Sequence, residues 1–137
     1  MTRYLLDTSV WIRFLRGNRE IRTRIEGLLA RGDQVVSCGF VGMELLAGVN
    51  GRNAAVVEKL VDDLRDLRFD EHQDFETAAR LNVAARRHGL AVRSLVDCLI
   101  ASIVLRQDDV VLAHCDGDFD RLARVSTLRT ERWDAAA

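Results

Sequence analysis

The chain has 137 residues, of which 48% are hydrophobic and 30% are charged, and its formal net charge is −1. This length suits one domain over 1–137, and so small a net charge excludes a protein that binds polyanions through bulk charge. Asp7 interrupts the apolar run after Arg3, which excludes a secretory signal, and the longest apolar stretch, 98–105, is too short to span a bilayer. We therefore expect a cytosolic protein with no membrane association.

The first third of the chain predicts, in order, a strand, two helices and a second strand, over 5–6, 8–15, 21–29 and 34–37. The second helix is predicted from four apolar residues spaced i, i+4, i+7 and i+8 on one face, Ile21, Ile25, Leu28 and Leu29. Asp7 ends the first strand, and the hydroxyl residue Thr8 is able to cap the next helix. Since ligands bind at the carboxyl ends of strands in open α/β sheets, Asp7 is predicted to lie at the mouth of a site.

The rest of the chain predicts further helices over 40–49, 56–64, 74–87, 95–106 and 119–125. Between and after them lie a weak strand, a clear strand and a last extended segment, over 67–69, 110–113 and 128–131. Strands that alternate with helices indicate a parallel sheet covered on both faces. We therefore predict the α/β class, with helices dominating.

Several acids occupy positions where an acid is unusual. Glu44 lies within an apolar helix, Asp97 begins the most apolar helix, and Asp116 follows the strand over 110–113, with Asp118 two residues further on. Each also has an ordinary structural explanation: Asp97 as a first-turn acid behind a Ser94 cap, Asp118 as a helix cap, Glu44 facing solvent, and Asp7 ending a turn. Taken together these explanations are weaker, because a doubly wound sheet brings at least three of the elements to one edge.

Converging carboxylates would repel one another and raise their pKa values unless a cation lay between them. Oxygen ligands without a histidine partner favour Mg²⁺ or Mn²⁺ over zinc. Such a site suits phosphoryl chemistry, in which water is activated and charge on the phosphate is neutralised.

Two groups of arginines flank these acids. Arg13 and Arg16 follow Asp7, and Arg86, Arg87 and Arg93 precede the helix of Asp97. Both groups could grip phosphates on either side of a scissile bond. The alternative is a solvated charged face.

Four motifs in order carry a family resemblance: Leu5-Leu6-Asp7-Thr8-Ser9, 42–46, 96–101 and 114–119. They resemble the acidic motifs of PIN domains and, more narrowly, of the VapC toxins of type II toxin–antitoxin operons. The resemblance covers nearly the whole chain. It implies a three-layer α/β/α sandwich with a central parallel sheet, and a Mg²⁺- or Mn²⁺-dependent endoribonuclease that leaves a 5′-phosphate and a 3′-OH.

The resemblance also implies a role for each acid. Asp7 and Asp97 would bind the metal directly, and Asp116 is included among the metal residues. Glu44 and Asp116 would complete the catalytic pocket, through water or by positioning the nucleophile, with Asp118 beside them. Which of Asp116 and Asp118 faces the metal stays open.

Around these acids, the resemblance has Thr8 and Ser9 hydrogen-bond and orient Asp7. It further implies a homodimer and a small VapB-like antitoxin, whose C-terminal segment would lie over apolar helices and insert a basic side chain into the site. The candidate contacts are Trp11, Phe14 and Leu15, for which core packing is the alternative.

Two other function classes remain as alternatives. A haloacid-dehalogenase-like or receiver-like domain also places an aspartate after its first strand. The former requires a second aspartate where this chain has Ser9, and both require a late lysine, whereas the only lysine is Lys59 in a predicted helix. A non-catalytic PIN-like binding module would be indicated by missing acids, and none of the expected acids is missing.

Overall fold

A parallel sheet of five strands forms the centre of the protein, in a computed structural model that describes residues 1–134. The strands are β1 (Arg3–Leu6), β2 (Gln34–Cys38), β3 (Arg65–Leu67), β4 (Val110–His114) and β5 (Thr130–Arg132). Their order across the sheet is β3-β2-β1-β4-β5, and every neighbouring pair is parallel. The last three residues of the predicted domain lie outside the described residues.

Seven helices accompany the sheet within residues 1–134. They are α1 (Thr8–Leu15), α2 (Arg19–Ala30), α3 (Gly39–Ala47), α4 (Ala54–Asp63), α5 (Glu71–Arg87), α6 (Leu95–Leu105) and α7 (Gly117–Arg124). Helix α1 packs against α2 and α3, and α3 packs against α4, whereas α5, α6 and α7 form a second packed group. Because parallel crossovers are right-handed, the two groups cover opposite faces of the sheet, which confirms the predicted α/β/α sandwich.

The central strand β1 explains why the core lies where it does. Leu5 and Leu6 are fully buried, as is Leu112 on the neighbouring β4. A parallel strand with neighbours on both sides and helices on both faces has no solvent-facing side, so an uninterrupted apolar run suits it. Helix α6, also predicted as the most apolar, is buried at seven of its positions.

The sheet order creates a crossover beside β1. The chain builds outward from β1 through β2 to β3, then returns to β4 on the other side of β1. Leu6 pairs with Ala113 in register, and the Asp7 N–H donates to the Ala113 carbonyl over 2.9 Å. The carboxyl ends of β1 and β4 therefore meet at the topological switch point, where open α/β sheets bind ligands.

Several predicted boundaries differ from the structure. Strand β3 lies two residues before its predicted position, β5 occupies Thr130–Arg132, and α5 begins at Glu71 rather than Asp74. Asp70 causes the earlier start of α5, because its carboxylate accepts from the backbone N–H groups of His72 and Gln73. Leu29, predicted to lie on the buried face of α2, is 53% exposed, and that face consists of Ile21, Ile25 and Leu28.

Among the described residues, no helix is both long enough and apolar enough to cross a membrane.

Candidate metal centre

Asp7 lies at the junction of β1 and α1. It is 3% exposed, and its Oδ2 accepts hydrogen bonds from the Ser9 backbone N–H over 3.1 Å and from the Ser9 hydroxyl over 2.6 Å. Asp7, not Thr8, is therefore the N-cap of α1. A carboxylate that caps a helix directly after a strand has a fixed position at the sheet edge.

Ser9 makes the hydrogen bond to Asp7 that the resemblance implies, and it also bonds to the segment after β4. The same hydroxyl that donates to Asp7 accepts the Cys115 N–H over 3.0 Å. Thr8 differs from the expectation, because its hydroxyl donates to Glu44 Oε1 over 2.9 Å instead of to Asp7. Two hydroxyls thus hold two different acids.

Asp97 occupies the first turn of α6 and is 6% exposed. Its backbone N–H donates to the Ser94 hydroxyl over 3.2 Å, so the predicted Ser94 cap is present. No described residue donates a hydrogen bond to the Asp97 side chain, although the carboxylate is buried among other acids. The capping explanation therefore accounts for the backbone of Asp97 and leaves its carboxylate available.

Asp116 and Asp118 lie at the start of α7. Asp116 caps this helix by accepting the Asp118 N–H over 2.9 Å, so the alternative explanation of Asp118 as a helix cap does not hold. Asp118 is 6% exposed and accepts from the Arg93 backbone N–H and from Arg121 Nη1, each over 3.1 Å. Both oxygens of Asp118 are therefore already engaged.

Three of the predicted acids form a tight cluster. Asp97, Asp116 and Asp118 each offer a carboxylate oxygen, and these oxygens lie within 4.8 Å of one another. A cluster of this kind is a suitable set of ligands for a hard divalent cation. Asp7 and Glu44 stand close enough to influence the pKa of Asp97 by charge repulsion, so all five acids belong to one electrostatic site.

The electrostatics of the site disfavour ionisation without a cation. Burial, followed by repulsion from Asp7, Asp116, Glu44 and Asp118, raises the pKa of Asp97 to about 8. Burial also raises the pKa of Asp7, against the opposing effect of its hydrogen bonds from Ser9. A divalent cation would reverse this preference, because it favours the ionised form of every neighbouring carboxylate.

On the α1 side the site continues into a cavity of about 260 Å³ between α1, α3 and α4. Thr8 and Glu44 stand at its edge next to the acids, and Arg16 contributes a positive charge. Glu44 is half-buried and accepts a hydrogen bond from Thr8. It therefore does not simply face solvent, which was the alternative explanation for this acid.

The predicted arginines differ in how they relate to the acids. Arg86, Arg87 and Arg93 are exposed, and the backbone N–H of Arg93 binds Asp118, so this arginine stands at the rim. Arg13 is half-buried and donates to the Ser9 carbonyl over 3.3 Å, with Asp134 3.7 Å away. Sequence reasoning missed Arg121, whose signal was its position three residues after Asp118 on one helix.

The proposed partner-binding residues on α1 are largely in the core. Trp11 is 3% exposed, and Phe14 and Leu15 are partly buried against the core. Trp11 and Phe14 pack edge to face with ring centroids 5.6 Å apart. Trp11 therefore follows its core-packing alternative, whereas Phe14 and Leu15 retain surface for a contact.

A parallel sheet in the order 3-2-1-4-5, covered by helices on both faces and carrying acids at its switch point, defines a PIN-type α/β domain. The sequence profile described as PIN domain matches residues 4–125. The chain belongs to the PIN-domain family.

Curated relatives place the chain, within this family, among the VapC ribonucleases. It is 37% identical over 128 residues to VapC ribonuclease Mb1587 of Mycobacterium bovis and to ribonuclease VapC11 of Mycobacterium tuberculosis, which covers 91% of this chain and 95% of each relative. This membership excludes the dehalogenase-like and receiver-like alternatives.

Solved structures agree on the fold. The VapBC2 structure from Rickettsia felis, bound to a promoter DNA fragment, matches with a TM-score of 0.78 at 20% identity, over 96% of this chain and 99% of that one. The DNA-bound VapBC structure from Salmonella typhimurium matches with a TM-score of 0.75 at 24% identity, over 97% and 99%. At these identities the likeness shows a shared fold.

Proposed function

We propose that this protein is a toxin endoribonuclease of a type II toxin–antitoxin system, which hydrolyses RNA phosphodiester bonds with Mg²⁺ or Mn²⁺. The observation that carries the proposal is the buried acid cluster of Asp97, Asp116 and Asp118, with Asp7 and Glu44 beside it, at the switch point of a VapC-family fold. No basic residue contacts the Asp97 carboxylate within residues 1–134, so its charge is left for a cation to balance.

The residues fit a divalent cation. Asp7, Asp97 and Asp116 would hold it, because each has at least one carboxylate oxygen that no other described residue engages. When bound, the cation neutralises charge on the phosphate and promotes the ionisation of water. Glu44, which accepts a hydrogen bond from the Thr8 hydroxyl, would accept a proton or orient the attacking water. The products would carry a 5′-phosphate and a 3′-OH, because this route needs no attack by the ribose 2′-OH.

The test is RNA cleavage by the purified protein with Mg²⁺ or Mn²⁺, with EDTA, and by the Asp7→Asn and Asp97→Asn variants. We expect metal-dependent cuts with 5′-phosphate ends, and loss of cleavage in both variants with the fold retained, because each variant removes a ligand charge. Asp62→Asn is the matched control, since Asp62 is an exposed aspartate on α4, a helix that carries none of the five acids. Metal-independent cuts ending in cyclic phosphates, or full activity in Asp97→Asn, would contradict the assignment.

We also propose a VapB-like antitoxin as partner and a homodimer as the assembly. The matched structures are described as VapBC complexes, and the cavity beside Glu44 offers an apolar floor next to the acids. A partner segment lying over α1 could reach the acids with a basic side chain from this side. Co-expression with a VapB-like antitoxin, with light scattering of the purified toxin and of the complex, measures both assemblies.

A further inference from the structure

Arg121 stands at the edge of the acid cluster in a defined position. Its Nη1 donates to Asp118 Oδ1 over 3.1 Å, and its side chain is 44% exposed. A Cβ atom at Gly117 would lie 3.1 Å from the same Nη1. The guanidinium therefore lies over the first turn of α7, in space that the absence of a side chain at Gly117 leaves open.

Asp118 has a different environment from the other two acids of the cluster. One of its oxygens binds Arg121 and the other accepts the Arg93 N–H. Asp116 uses only Oδ1, and the Asp97 carboxylate accepts from no residue in the described part of the chain. Asp97 and Asp116 are thus the members free to hold a cation, and Asp118 is the member that holds an arginine.

The free donors of Arg121 suit a phosphate. Its bond to Asp118 uses one N–H, and the fork of a guanidinium presents several more that match phosphate oxygens. Two other arginines have fewer free N–H groups for a phosphate, because their guanidinium groups bind carboxylates through several nitrogens. Arg106 binds Asp74 through two nitrogens, and Arg132 binds both Asp120 and Asp134. Arg121 combines a fixed position with an exposed guanidinium.

An anionic substrate needs such a group at this place. RNA brings a further negative charge to a pocket that already contains five acids, and repulsion opposes its approach. The positively charged guanidinium of Arg121, held by Asp118 next to the oxygens of Asp97 and Asp116, offsets that repulsion where the phosphate enters. Charge-assisted hydrogen bonds from arginine to phosphate are also among the stronger contacts that a side chain makes.

We propose that Arg121, held by Asp118 over Gly117, binds an RNA phosphate at the acid cluster, and that Asp118 is a positioning residue rather than a metal ligand. This inference rests on the proposed ribonuclease function and deepens it. It assigns the two neighbouring acids of the 116–118 segment to different tasks.

The experiment measures binding of a synthetic single-stranded RNA that spans a cleavage site mapped with the wild-type protein. Binding is measured in a Glu44→Gln background, which keeps the proposed metal ligands Asp7, Asp97 and Asp116 and is expected to cleave poorly, with Mn²⁺ present and at several salt concentrations. We expect Arg121→Ala to weaken binding by on the order of 10- to 100-fold. The slope of log affinity against log salt should fall in magnitude by about 0.7, as for one phosphate contact on a single strand. Arg121→Lys should keep the slope and recover part of the affinity.

Arg124→Ala is the matched control, because Arg124 is an exposed arginine one turn further along α7. It should leave both affinity and slope unchanged. An Arg121→Ala variant with wild-type affinity and slope would overturn the inference, and a variant that loses only thermal stability would assign Arg121 a structural role instead. Calorimetry with Mn²⁺ tests Asp118: Asp118→Asn should keep Mn²⁺ binding while it weakens RNA binding, and loss of Mn²⁺ binding would overturn the positioning role.

The proposed function can fail separately. If the wild-type protein cleaves no RNA with either metal, the nuclease assignment fails. If it cleaves and Arg121→Ala binds and cleaves equally well, only the assignment of Arg121 fails.

Discussion

Ser9 joins the two strand ends that form the site. Its hydroxyl donates to Asp7 Oδ2 over 2.6 Å and accepts the Cys115 N–H over 3.0 Å, so one side chain couples the end of β1 to the end of β4. Groups that orient a metal-binding carboxylate typically contribute about 10- to 100-fold to metal affinity or activity. We therefore expect Ser9→Ala to lower the cleavage rate by about that factor, measured at saturating Mn²⁺ on a mapped RNA.

The control for Ser9 is Ser126→Ala, because the Ser126 hydroxyl donates to the Leu122 carbonyl at the far end of α7. It should cleave at the wild-type rate. If Ser9→Ala also cleaves at that rate, the hydroxyl has no orienting role and its hydrogen bonds serve the fold alone.

For single residues, the sequence predicted which acids form the site better than it predicted what each acid does there. The identity of Asp7, Glu44 and Asp97 as unusual acids was readable because each interrupts an apolar run. Which neighbour caps a helix was not, since Asp116 and Asp118 are both good caps two residues apart. Arg121 was missed for a similar reason: its spacing from Asp118 is a weak signal, because an arginine on a short amphipathic helix has the same pattern whether it faces solvent or a buried acid.

Among the elements, α5 and α6 are fastened by a buried ion pair. Arg106, at the end of α6, donates to the fully buried Asp74 through Nε and Nη2, each over 2.7 Å, and Asp74 also accepts the Asp70 N–H. Removing one partner of a buried pair leaves an uncompensated charge and costs about 3–5 kcal/mol. We expect Arg106→Met to lower the free energy of unfolding by roughly this amount, measured by urea denaturation.

The matched control is Arg80→Met, which breaks an exposed i,i+4 pair with Glu76 on the same helix α5. Pairs of this kind contribute only about 0.3–0.5 kcal/mol, so this variant should unfold almost like the wild type. Equal midpoints for the Arg106 and Arg80 variants would contradict the role of the buried pair.

The helices and strands themselves followed from periodicity, and the exceptions have local causes. Helix α5 begins early because the Asp70 carboxylate accepts the His72 N–H and the Asp74 carboxylate accepts the Asp70 N–H. The apolar pattern, which starts at Phe75, does not show these capping hydrogen bonds. Leu29 completes an ideal helical spacing but is exposed, since three residues of α2 already fill the available face. Periodicity identifies a face of a helix without stating how wide the buried part of it is.

For the whole molecule, the decisive feature is the order of the strands. Alternating strands and helices predicted a parallel sheet, yet alternation alone leaves the neighbours of β1 undetermined. The return of the chain to β4 beside β1 unites Asp7 with Asp116, and the crossing of α6 adds Asp97. The convergence of the five acids is therefore a consequence of the topology: the doubly wound arrangement predicted it for at least three elements, and the family resemblance extended it to all five acids.

This shared site couples the stability of the metal-free protein to pH. The pKa of Asp97 is about 8 in the folded protein, against 3.8 ordinarily, so between these values the folded state holds a proton that the unfolded chain has released. Stability falls with rising pH wherever the folded state binds more protons. The melting temperature without metal should therefore decrease from about pH 5 to pH 8, and Asp97→Asn should remove most of this decrease.

Divalent metal should reverse that trend, because it competes with the proton for the same oxygens. At pH 5 a cation must displace the proton of Asp97, so Mn²⁺ should raise the melting temperature only slightly. Near pH 8 the Asp97 carboxylate loses its proton readily and can bind the cation, so Mn²⁺ should raise the melting temperature most there. Thermal unfolding from pH 5 to 8.5, with Mn²⁺ and with EDTA, measures both trends, with Asp62→Asn as the control that keeps them. An increase that is the same at every pH, or that persists in Asp97→Asn, would place the binding of the metal elsewhere.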